Sequence, residues 1–239
     1  MLPSLLARVD APEAMIAWAK GVGDDAWATC PSPEWQVWLA GVYGESLNHL
    51  LLGLSGWAGE ILANVPDAEA VVLHVLAKAE GCVRRDVRRE DCLAAAEEAD
   101  RVARDAPATF RNGVATAYPP LATGAAWVAR AAEGLLTARL RAEADRMQRA
   151  QATASYLGAG VNALVENEPL VRLAADRVPE DAFHAELLYV VAAGAEAASA
   201  LALALQRVRD PSQPPPTEAS EETLQEAAAQ LRAALTEVE

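Results

Sequence analysis

Apolar residues recur three and four apart along almost the whole chain, and no segment alternates apolar with polar as a half-buried strand does. That single period leaves the helix as the only regular element. It predicts an all-α fold, either a multi-helix bundle or an orthogonal helical array. Proline and glycine set the divisions. Residues 1–210 form a single helical domain in this reading, and 211–216, with four prolines, a stiff extended linker. Residues 217–239 form a C-terminal amphipathic helix. There Leu224, Ala228, Leu231, Leu235 and Val238 make a short coiled-coil-like seam. At 239 residues the chain is long enough to bury a sizeable core.

Local signals place most helices. Asp10 and Glu13 have capping-box spacing, and Gly21 and Gly23 end the helix that carries Met15, Ile16 and Trp18. Ser46 opens a leucine-rich helix in which Gly53, Gly56 and Gly59 lie three apart. Each costs roughly 1 kcal/mol against alanine in a helix, so the spacing predicts close approach of another helix. Residues 68–80 form a helix that Gly81 stops. From Asp91 an alanine-rich face, Ala95, Ala96, Ala99 and Ala103, calls for a closely packed partner. The charged run between them, 84–91, mixes four arginines with three acids and reads as a self-paired surface. Residues 121–165 are one long helical pattern that breaks near Gly158 and Gly160, and 168–175 a shorter helix. Residues 187–205 are apolar enough to span a bilayer, but Glu196 near the middle favours a buried central helix.

The densest side-chain chemistry lies in residues 27–44. Ser32 is placed to cap a helix, Pro33 fits its first position, and Glu34 favours its positive end. Trp35, Trp38, Leu39, Val42 and Tyr43 then make one apolar stripe, and Gly44 ends the helix in a left-handed cap. Trp27 and Cys30 sit on a short preceding helix that Pro31 stops. Three tryptophans, Trp27, Trp35 and Trp38, are thus expected to converge on one corner, as a packing hub first and a ligand cage or partner hot spot second.

The same residues carry a resemblance. Trp27, Cys30 with four residues to Trp35, and Trp38-Leu39-Ala40 resemble the W…C-x(4)-W-x-x-W-L-A signature of a family of helical bacterial immunity proteins of polymorphic-toxin systems. The resemblance extends from about residue 12 to about residue 209. Here the following helix is leucine-rich and tyrosine is sparse, which departs from the family pattern. The motif, Trp27, Cys30, Trp35, Trp38 and Leu39, is structural, so the resemblance implies a fold and a context and no catalytic residues.

Charge narrows the partners. Twenty basic residues against 34 acidic ones give −14, which disfavours nucleic acid and anionic membrane and suits a basic protein. Cys30, Cys82 and Cys92 form no framework and no CxxC pair, so they read as reduced thiols of a cytoplasmic protein. No signal peptide is apparent at the N-terminus. His49, His74 and His184 are isolated, and no metal, cofactor or nucleophile motif occurs. The loop at Phe110, Arg111 and Asn112, followed by Gly113, is a candidate partner-binding tip. The expectation is a non-enzymatic protein-binding module, an immunity protein that neutralises a basic toxin by direct binding. Two alternatives stand beside it: a scaffold that self-assembles through the C-terminal helix, and a small-ligand-binding helical protein.

Overall fold

The structure, a computed structural model, describes residues 2–9, 11–44, 46–65, 70–105, 118–158, 180–210 and 217–238. Every regular element among them is helical. The order is α1 (Leu2–Arg8), α2 (Glu13–Val22), a 3-10 turn (Gly23–Asp25), α3 (Ala26–Thr29), α4 (Pro33–Tyr43), α5 (Leu47–Ala63), α6 (Ala70–Arg84), α7 (Arg89–Asp105), α8 (Tyr118–Gly158), α9 (Glu180–Arg209) and α10 (Glu221–Glu237). The all-α expectation therefore holds. Asp10, the loop at Phe110, Arg111 and Asn112, the helix expected at 168–175 and the linker at 211–216 lie outside the described residues.

Helix α9 is the element the others surround. It packs along α8 on one side and against α4, α5 and α10 on the other. Small residues make this possible. Val190, Ala193, Ala197, Leu201 and Ala204 of α9 and Ala122, Ala125, Ala129 and Ala132 of α8 are all buried. Gly124 of α8 meets Leu201, and Gly134 meets Tyr189 and Val190, so the pair runs antiparallel. A Cβ on Gly124 would stand 2.9 Å from the Leu201 side chain. Short side chains bury little area each, but they let backbones come close and multiply dispersion contacts. One described helix, within α9, is long and apolar enough to cross a membrane; in the structure 56% of its most apolar window is buried inside the fold.

Helices α6 and α7 form a hairpin against α8. Gly81 was expected to stop α6, yet the helix runs on to Arg84. Its task is different. The chain turns back so tightly that a Cβ there would run into the Val87 side chain, and the Asp86 amide bonds the Gly81 carbonyl at 2.7 Å. Arg85 makes the turn in a left-handed conformation (φ 70°). The charged run pairs with itself only at Arg88 and Asp91; Arg89 and Arg85 instead reach Glu133 and Glu143 of α8.

The C-terminal helix docks on its own chain. Ala227, Ala228 and Leu231 are buried, and Leu224 and Leu235 are half-buried against the core. Trp57 of α5, fully buried, donates its indole N–H to Gln230 Oε1 at 3.0 Å. Burying an indole with its donor satisfied is worth roughly 3–5 kcal/mol against alanine. Of the three glycines on α5, only Gly53 meets a helix among the described residues: a Cβ would lie 2.7 Å from Leu235 Cδ2. Gly56 and Gly59 face open space, which corrects the expectation for those two.

Candidate functional site

The corner built by α3 and α4 forms as its local signals dictate. Ser32 sits in extended conformation and its hydroxyl accepts from the Trp35 amide at 3.4 Å. Pro33 follows at the first helical position. At the other end Gly44 takes the left-handed conformation (φ 78°), and its amide bonds the carbonyls of Ala40 and Gly41. The single stripe does not survive. Pro33, Gln36, Val37, Trp38, Leu39 and Ala40 are all buried, while Tyr43 is 51% exposed. The reason is tertiary: α9 and α10 both pack on α4, and they lie more than 130 residues along the chain.

The three tryptophans take different neighbours. Trp38 goes into the core with Leu39. Trp35 instead pairs with Trp18 of α2, ring centroids 5.5 Å apart and tilted by 47°. Trp27 meets Tyr43 edge-on at 6.3 Å. The backbone of Trp27 is tied separately, its carbonyl accepting from Gln36 Nε2 at 3.4 Å. Gln36 is fully buried, and its Oε1 has no partner among the described residues. Cys30 is buried, with its thiol 3.3 Å from the Ser32 carbonyl it donates to. Burial pushes that thiol up to about 11, offset in part by the Ser32 bond and by Arg232. A thiol so placed is a packing residue, since the thiolate is the nucleophile.

A cleft opens beside this corner. It encloses about 350 Å³ between the first turn of α4 (Ser32, Pro33, Glu34, Trp35), Ser199 and Leu203 of α9, and Thr217, Glu218, Ala219 and Leu224 at the entrance to α10. None of these residues is basic. Burial raises the Glu34 carboxyl above its ordinary range, and the neighbouring Glu196 adds repulsion. Sequence spacing singled out Trp35 as a possible ligand-cage residue and Glu34 only as a first-turn charge. It gave no signal for Trp18 or for the walls from α9 and α10, which only the folded chain brings together.

Other reactive groups lie elsewhere. Cys82 and Cys92 are buried where α6 and α7 meet α8, donating to the carbonyls of Ala132 (3.6 Å) and Ala129 (3.1 Å). The neighbouring Cys82 thiol and burial make Cys92 hold its proton more tightly. His49 and His74 are exposed on different helices. Among the described residues no three His, Cys, Asp or Glu side chains gather as metal ligands would. No protein-family model, curated protein or solved structure matches the chain.

Proposed function

We propose that this chain is a non-catalytic helical binding protein whose acidic α4–α9–α10 corner engages a basic protein, in the manner of an immunity protein that covers a toxin. The carrying observation is how charge is distributed. Arginines are engaged within the fold, mostly along α7 and α8: Arg85, Arg88, Arg89, Arg101, Arg130 and Arg141 each pair with a carboxylate. On α9 and α10, Arg209 pairs with Glu226 and Arg232 bonds the Ala28 carbonyl, but the residues that line the cleft include no basic side chain. Glu34, Glu196, Glu218 and Glu222 take part in none of the salt bridges among the described residues, and the last three are exposed. Uncompensated carboxylates on one corner attract a cationic surface and accelerate its docking. The resemblance of the Trp27–Ala40 signature to immunity proteins supports the same reading.

The test is co-expression with toxins encoded beside this protein, scored by growth, together with a binding measurement at low and moderate salt. Protection and a complex that weakens as salt rises are expected. Absence of protection and of binding with every such toxin would remove the immunity role. A second reading, a small-ligand binder, is favoured by the cleft itself. The scaffold reading draws no support from α10, whose apolar positions Ala227, Ala228 and Leu231 are occupied within its own chain.

A further inference from the structure

We propose that the cleft between α4, α9 and the entrance to α10 is a binding site for an organic cation, and that in the complex it receives one lysine or arginine side chain of the basic partner. The second half rests on the partner-binding reading above; the first stands on the cleft alone. Its volume, about 350 Å³, is at the small end for ligand sites and suits a single side chain or a small molecule. The walls sort the ligand by chemistry. Leu203 and Leu224 are apolar and suit an alkyl stem. Trp35 lines the cleft, and its ring packs against that of Trp18 with centroids 5.5 Å apart. A preorganised indole attracts an ammonium or guanidinium over its ring.

Charge then excludes the other classes. Glu34 and Glu218 line the space, Glu196 lies three residues before the lining Ser199 on α9, and no lysine, arginine or histidine faces in among the described residues. An anion would meet repulsion from all three carboxylates. A neutral ligand would leave Glu34 half-buried beside Glu196 with no counter-charge. A cation relieves that repulsion and gains charge-assisted hydrogen bonds.

The full chain is titrated with N-acetyl-arginine amide while tryptophan fluorescence is followed. N-acetyl-citrulline amide, of nearly the same shape without the charge, is the control. A saturable change is expected with the arginine probe only, weakened about tenfold in Glu34→Gln. That variant keeps the side chain's size and its place at the helix start, and its thermal unfolding is recorded to show that it folds. A response that does not saturate, or is equal for citrulline or for the variant, overturns the cation site. Partner capture by wild type and Glu34→Gln separates the two readings. If a basic partner is captured equally by both, the cleft is not its contact and the second half of this inference fails while the partner reading stands. Probe binding without any captured partner leaves the cation site standing and ends the partner reading.

Discussion

Glu34 shows how two effects on one residue are weighed. The positive end of α4 favours its charge, an effect of about 0.3–1 kcal/mol at a helix terminus. Burial and Glu196 oppose it, and the carboxyl is raised, so these win. The folded state therefore holds this proton more tightly than the unfolded chain. Its contribution is favourable at acid pH and is lost as pH rises through the raised value. Relative to wild type, Glu34→Gln is expected to gain in melting temperature from pH 4 to pH 7. A variant that loses stability over that range would contradict the assignment. Cys30 gives a second check at this scale. With its thiol up at about 11, roughly a thousandth is thiolate at pH 8. Iodoacetamide is expected to leave Cys30 unmodified in the native protein and to label it after unfolding. Rapid native labelling would mean the corner opens.

At the scale of elements, glycine on α5 separates packing from propensity. Gly53 lies under Leu235, so Gly53→Val should lift α10 and lower the melting temperature. Gly56→Ala meets nothing within 4 Å and should stabilise by about 0.5–1 kcal/mol through helix propensity alone. Chemical denaturation of both variants distinguishes them, and equal effects would refute the docking of α10 on Gly53. The same three glycines show what a sequence can reveal. Their spacing announced close packing but could not say which one packs, because Leu235 lies some 180 residues away in the chain. Local signals were legible: the Ser32 cap, Pro33 and the Gly44 terminus depend only on near neighbours and are found where expected. The α4 stripe was not legible in full. A helix covered by α9 and α10 buries Gln36, Val37 and Ala40 as well, and nothing within its eleven residues records that. Gly81 was misread for a related reason, since its partner Val87 lies beyond the turn it permits. Of the cleft, the sequence offered Trp35 alone, as one of three tryptophans read as a possible ligand cage.

For the whole molecule, α9 as a central helix and α10 as a lid on α4 and α5 make the C-terminal segment part of the core. Deleting residues 211–239 uncovers Trp57 and the surface under Leu231. A lower melting temperature and red-shifted tryptophan emission are expected. A full chain of two-copy mass that becomes monomeric and stays stable on deletion would instead show that this helix joins copies. Charge at this scale carries the functional claim. A net charge of −14 is not spread evenly: Glu34, Glu196, Glu218 and Glu222 lie outside the salt bridges among the described residues, although Arg209 and Glu226 pair between α9 and α10. The most direct measurement is affinity capture from the native cell with two baits, the wild type and a Glu34, Glu196, Glu218, Glu222→Gln variant, at low and moderate salt. The account predicts a near-stoichiometric basic protein on the wild type that is lost with salt and with the four substitutions. Equal recovery on both baits, or no basic partner at either salt, would contradict it.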